Sequence, residues 1–215
     1  MKSVPLSFYN RTWKATVFDN YLKIIKQQNM ILPIYTYGQP VLKEIAQDIT
    51  PDYPNLPELI ANMFETLSEA DGVGLAAPQI GLPIRVVVID LDVVKDDDPK
   101  FKDFRKAYIN PHIIEFGEEQ VSMEEGCLSL PGIHENVKRS KKIKVQYLDV
   151  DFNPHEEVTD GYLARVMQHE FDHLDGHVFV ERISPLRKQI VKNKLNTMLN
   201  GRVHCSYRVK VFKRK

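Results

Sequence analysis

Gly161-Tyr162-Leu163-Ala164-Arg165-Val166-Met167-Gln168-His169-Glu170-Phe171-Asp172-His173-Leu174 carries Leu163, Val166, Met167, Phe171 and Leu174 at helical spacing. Thr159-Asp160-Gly161 offers a capped start and Gly176 a stop, so the spacing predicts a helix ending at about Leu174. Inside it, His169-Glu170-Phe171-Asp172-His173 is an H-E-x-x-H, whose two histidines lie four residues apart on one helical face and can reach a single ion. Glu170 falls amid the apolar stripe, where an ionised carboxylate is costly without a partner. A purely structural helix rarely puts one there, although histidines satisfied within a core are the plain alternative. His169 and His173 continue a row with Tyr162 and Val166, so the ligand face runs into an apolar surface suited to a substrate pocket.

A tetrahedral catalytic site usually takes three protein ligands plus water, so one ligand remains to be found. The extended pattern H-E-x-x-H-x-x-G-x-x-H fails, because Gly176 fits but the last position is Phe179 and His177 is out of register. Glu181 is near in sequence but follows the break at Gly176. Upstream, Cys127 in Glu125-Gly126-Cys127-Leu128-Ser129 is the best remaining soft ligand, flanked by a glycine that permits close backbone approach. On composition alone, a buried structural cysteine is the competing reading.

Further out, Leu59, Ile60, Met63, Phe64 and Leu67 predict a helix between Pro57 and Asp71-Gly72. Arg85–Asp90, Tyr108–Asn110, Ile113–Phe116 and Ile143–Tyr147 read as strands, and the charged stretch from Lys95 to Lys106 as a solvated loop. After Ser184-Pro185, Leu186, Ile190, Val191, Leu195 and Met198 predict a C-terminal helix ending at Asn200-Gly201. Strands and helices out of strict alternation indicate an α+β domain.

The 215 residues suit one domain, with 29 Lys and Arg balanced by 29 Asp and Glu, so no whole-molecule field draws the chain to DNA or a membrane surface. No apolar run approaches the roughly eighteen residues of a membrane span, and two cysteines without a signal peptide read as reduced thiols. The expectation is a soluble, cytoplasmic protein. Residues 1–29 are basic and acid-poor, and read as an over-annotated extension before a start at Met30, with an organellar targeting segment as the rival reading. Residues 30–200 then form the catalytic domain and 201–215 a basic C-terminal tail.

Gly72-Val73-Gly74-Leu75-Ala76-Ala77 mimics a dinucleotide fingerprint, but it follows a helix and places Pro78 where a new helix would have to propagate. A rigid loop presenting backbone groups and the Gln79 amide remains. Three segments now stand in order: Gly74-Leu75-Ala76-Ala77-Pro78-Gln79, Glu125-Gly126-Cys127-Leu128-Ser129, and Gln168-His169-Glu170-Phe171-Asp172-His173-Leu174-Asp175-Gly176. Together they closely resemble the three signature motifs of peptide deformylases, and the resemblance spans Met30 to Leu199.

That resemblance implies antiparallel sheets packed around the H-E-x-x-H helix. It also implies one divalent metal held by Cys127, His169 and His173, with Fe(II) the first expectation and Ni, Co or Zn also usable. Glu170 would be the proton-transfer group, and the Gln79 side chain and Leu128 backbone amide the oxyanion donors. Gly74 would present its backbone to the peptide, and Val73, Tyr162, Arg165 and Val166 would line the methionine pocket. The implied reaction removes the N-formyl group from the initiator methionine of nascent polypeptides, releasing formate. Many relatives carry arginine where this chain has His134. Met123 and Ile133 are further pocket candidates, and Cys205 matches no functional position. The rival functions are an H-E-x-x-H endopeptidase and a catalytically silent binding protein on the same scaffold. The tail residues Arg202, Arg208, Lys210, Lys213, Arg214 and Lys215 suggest contact with ribosomal RNA beside the exit tunnel.

Overall fold

Val86-Val87-Val88-Ile89 leaves no polar face, which suits a strand covered on both sides, and all four side chains are buried. In the computed structural model, which describes residues 30–213, the elements in chain order are β1 (Ile34–Tyr35), α1 (Leu56–Glu69), β2 (Gly74–Ala76), β3 (Val86–Asp90), β4 (Arg105–Phe116), β5 (Gln120–Gly126), β6 (His134–Ser140), β7 (Lys142–Leu148), β8 (Pro154–Asp160), α2 (Gly161–Leu174), α3 (Pro185–Leu199) and β9 (Val209–Lys210). The expected extension, residues 1–29, lies outside the described residues, as do Arg214 and Lys215.

Strands β2-β3-β4-β7-β8 form an antiparallel five-stranded sheet, β5-β6 an antiparallel hairpin, and β1-β9 a short parallel ribbon. Alternation along β3 assigns the two faces. Val87 and Ile89 join Tyr108, Val145, Met167 and Phe171 beneath α2. Val86 and Val88 join Ile60, Met63, Leu67 and Leu75 beneath α1. The fold is α+β, as expected, with α2 packed against the sheet on one side and against β6 of the hairpin on another.

Helix α2 is more deeply enclosed than its apolar stripe suggests, because every residue from Ala164 to Leu174 is buried. A helix enclosed on all sides must pair its polar residues inside the protein. Gln168 donates to the Ser140 and Ala164 carbonyls at 2.8 and 2.9 Å, and Asp172 accepts from Arg139 at 2.7 Å and from Arg182.

Tyr108–Asn110 and Ile113–Phe116, read as separate strands, belong to one strand, β4, with an irregularity between Ile109 and His112. There Asn110 takes φ +49° and exchanges two hydrogen bonds with the Ile49 backbone at 2.8 and 2.9 Å. Pro111, lacking an N–H, is tolerated at such a break. Strands β5, β6 and β8 escape hydrophobic-pattern reading for a physical reason. The inward positions of β6 include Glu135 and Arg139, both buried, and β8 is a polar edge strand opened by Pro154.

On α3 the predicted stripe is narrower, with Leu186 73% and Ile190 56% exposed while Val191 and Met198 are buried. The helix lies at the surface, on a third cluster with Leu130, Ile133 and Phe179, so only one line of side chains can be covered. Beyond it the chain folds back. Val209 and Lys210 pair with Ile34 and Tyr35, and Ile34 N–H donates to the Arg208 carbonyl at 2.9 Å.

Candidate active site

The two histidines arrive together because α2 presents residues four apart on one face. Cys127 arrives from the end of β5. Its Sγ lies 3.2 Å from His173 Nε2, and the three donor atoms of Cys127, His169 and His173 all fall within 4.8 Å of one another. Metal–ligand bonds of about 2.0–2.3 Å converging on one centre require that spacing. One thiolate and two imidazoles therefore fit a divalent transition metal. Glu181, the alternative third ligand, is turned away and pairs with Lys43 and His177.

Charge sets the donors in advance. Burial alone would raise the Cys127 thiol, but His173 and His169 outweigh it and bring it down to about 5. Burial alone would lower His169, yet hydrogen bonds to Cys127 and Glu125 raise it to about 10. His169 Nδ1 donates to Glu125 Oε2 at 2.9 Å, which fixes the ring and turns its other nitrogen toward the thiolate. Glu125 is held in turn by Arg139 at 2.7 and 2.9 Å and by Arg165 at 2.7 Å. Burial works against its charge, but His169 and Arg139 hold Glu125 well below the usual carboxylate range. Nothing in the sequence marks Arg139 or a role for Glu125, because a buried ion-pair network has no local spacing signature.

Satisfied core histidines do not describe this arrangement. His173 is fully buried, and its Nδ1 finds no partner among the described residues. Glu170 is equally unusual. Its Oε2 is buried without a partner there, and burial pushes its pKa up to about 6 against the pull of His169 and His173. Gly74 explains how the carboxylate fits, since a Cβ at that position would stand 2.6 Å from Glu170 Oε1.

Gln79 is pinned by the Ala76 N–H, which donates to its Oε1 at 2.8 Å. Its NH₂ group consequently faces Cys127 Sγ at 3.6 Å and Ser129 Oγ at 3.3 Å. A cavity of about 430 Å³ is lined by Gly74, Gln79, Cys127, Leu128, His169 and Glu170. Beside it, a pocket of about 140 Å³ is lined by Val73, Tyr162, Arg165, Val166, His169 and Glu170. Within that pocket Arg165 is a brace, because its guanidinium is committed to Glu125 and to the Val137 and Val121 carbonyls. His134 lines the larger cavity, where Gly126 leaves room for its ring. Met123 lines neither cavity, and Ile133 packs in the cluster beneath α3.

An α+β fold that brings a thiol and two imidazoles together beside a buried carboxylate oxygen without a partner among the described residues is that of a mononuclear metallohydrolase. Residues 31–189 match the family model for polypeptide deformylase. The chain is 46% identical over 188 residues to the peptide deformylase of Flavobacterium johnsoniae, covering 84% of this chain and 96% of that one. Its fold is similar to the crystal structure of the Thermotoga maritima peptide deformylase, with TM-score 0.66 and 43% identity over 73% of this chain and 99% of the other. A Met-Ala-Ser-bound peptide deformylase from Acinetobacter baumannii matches with TM-score 0.65 and 36% identity, over 73% of this chain and all of that one. The chain belongs to the peptide deformylase family. It is a hydrolase that removes the N-formyl group from the N-terminal methionine of nascent polypeptides, and its family uses one divalent metal.

Proposed function

We propose that Cys127, His169 and His173 hold the metal, that Glu170 carries the proton, and that Gln79 and the Leu128 N–H receive the charge developing on the formyl oxygen. The observation that carries this reading is the buried Glu170 carboxylate, whose Oε2 has no hydrogen-bond partner among the described residues and which lines one cavity with Cys127 and His169, two of the three clustered donors. When bound, a divalent ion supplies Lewis acidity and brings a water's pKa toward neutrality. Glu170, with its pKa near 6, is poised to take the water's proton and to deliver it to the leaving amine. The pinned Gln79 NH₂ group and the Leu128 N–H, for which no described residue is an acceptor, are donors that need little rearrangement.

The pocket of Val73, Tyr162, Arg165 and Val166 is proposed to take the methionine side chain, with the Gly74 backbone on the peptide and His134 farther along the chain. The Acinetobacter relative bound to Met-Ala-Ser supports a site of that shape. Formate release from formyl-Met peptides, with no cleavage of unformylated peptides offered alongside, separates this reading from an endopeptidase.

Fe(II) is proposed as the native ion. Protein purified without oxygen is expected to carry iron and to lose activity in air, since the metal and its thiolate ligand are both oxidisable. Equal activity of the iron form after aerobic and anaerobic preparation refutes this.

The nascent substrate points to work in the cytoplasm beside the ribosome. The exposed side chains Arg202, Arg208, Lys210 and Lys213 are proposed to contact ribosomal RNA. Because β9 belongs to the fold, charge reversal tests this better than truncation. A variant with all four changed to Glu is expected to sediment less with ribosomes, the difference shrinking as salt rises. Indistinguishable sedimentation removes the ribosome from the proposal.

A further inference from the structure

The loop from Cys127 to Leu130 carries both a metal donor and the proposed oxyanion donor Leu128 N–H, yet it lies outside the sheets. Three hydrogen bonds shape it. Leu130 N–H donates to the Cys127 carbonyl at 2.9 Å and closes the turn. Tyr37 N–H donates to the Ser129 carbonyl at 2.9 Å. The Tyr207 hydroxyl donates to the Leu128 carbonyl at 2.8 Å. The last two come from opposite arms of one small ribbon, since Tyr37 follows β1 and Tyr207 precedes β9.

The ribbon is itself well anchored. Thr36 N–H donates to the Lys210 carbonyl at 3.1 Å. Gly38 lies so close to Phe212 that a Cβ there would stand 2.8 Å from its ring. Tyr207 packs against the cluster beneath α1, and residues 204–207 line the 430 Å³ cavity that Glu170 also lines. The family match stops at residue 189, short of this whole segment.

We infer that Tyr207 is a positioning residue for deformylation, whose hydroxyl clamps the Leu128 carbonyl and, together with the Leu130 N–H on the Cys127 carbonyl of the preceding peptide, holds the Leu128 N–H where the oxyanion forms. The inference rests on the proposed role of Leu128. A backbone donor is useful only when its direction is set before the reaction, and loss of a whole donor of this kind costs roughly 100- to 1000-fold in kcat. Loss of a clamp leaves the donor present but mobile, so a smaller loss follows.

The test compares Tyr207→Phe, Tyr207→Ala and Glu170→Ala in the metal-loaded full-length protein. Melting temperature, metal content, and kcat and KM for a formyl-Met-Ala-Ser peptide are measured for each. Tyr207→Phe keeps the packed ring and is expected to keep the melting temperature, metal content and KM while kcat falls about tenfold. Tyr207→Ala is expected to lose melting temperature as well. Phe thus restores stability without restoring kcat, which a merely structural tyrosine would not do. If Phe restores both, the hydroxyl has no positioning role and the inference falls. If Tyr207→Phe matches the native kcat while Glu170→Ala is inactive, only the clamp is refuted. If Glu170→Ala remains active, the site assignment beneath it fails as well.

Discussion

Glu170→Ala is expected to retain stoichiometric metal and a native melting temperature while kcat for formyl-Met peptides falls by roughly 100- to 10,000-fold, the range that a positioned proton carrier contributes. The carboxylate is not among the three donors gathered at the centre, so its removal leaves the metal set complete. Its Oε2 has no hydrogen-bond partner among the described residues, and His169 stays paired with Glu125, so truncating the side chain leaves no orphaned cation behind. Stability should therefore hold or improve, which separates this variant from a general folding defect. Glu170→Gln keeps the shape against Gly74 but cannot accept the proton, and should be nearly as inactive. Formate release close to the native rate in either variant, measured with metal content in the same sample, would remove Glu170 from its role.

Cys127→Ala is expected to abolish both tight metal binding and turnover. Loss of an outer partner of a metal ligand typically costs 10- to 100-fold in affinity, and loss of a ligand itself should exceed that. The remaining imidazoles lie on one turn of helix and approach the centre from one side. Cys127 closes the set from the hairpin loop, with its thiol lowered to about 5 by the two histidines. Cys127→Ser should recover little, since a hydroxyl ionises far less readily than a thiol. Elemental analysis after dialysis against a mild chelator reads the outcome. Full occupancy in Cys127→Ala would show that another side chain completes the centre.

The parts of the site legible in the sequence share one property, which is that local backbone geometry sets them. Residues four apart meet on any α-helix, so His169 and His173 could be paired from the sequence, and Glu170 stood out as a carboxylate in an apolar stripe. The glycine loop was recognisable as something other than a nucleotide site, because Pro78 and the preceding helix contradict that reading. Arg85–Asp90 read as a strand through its unbroken branched run Val86–Ile89, and the structure adds that both of its faces are covered. Strands β5, β6 and β8 were not legible, because charged residues occupy positions where a pattern reader expects apolar ones.

By itself, then, the sequence determined an α+β domain, two histidines and a carboxylate on one helix, and, through three motifs in order, the family. Cys127 and Gln79 were named from the motifs, but what brings them to the histidines and which residues brace them was decided by tertiary structure. Glu125 meets His169 across 44 positions, Gln79 meets Cys127 across 48, and Tyr207 meets Leu128 across 79. Contacts at such separations follow from sheet register and from the way α2 is enclosed. The same holds for the final segment, which read as a basic tail because its charges are exposed and its two-residue strand is too short to show a period. Only the hydrogen bonds it makes with β1 reveal that it folds back to line the same cavity as Cys127 and Glu170.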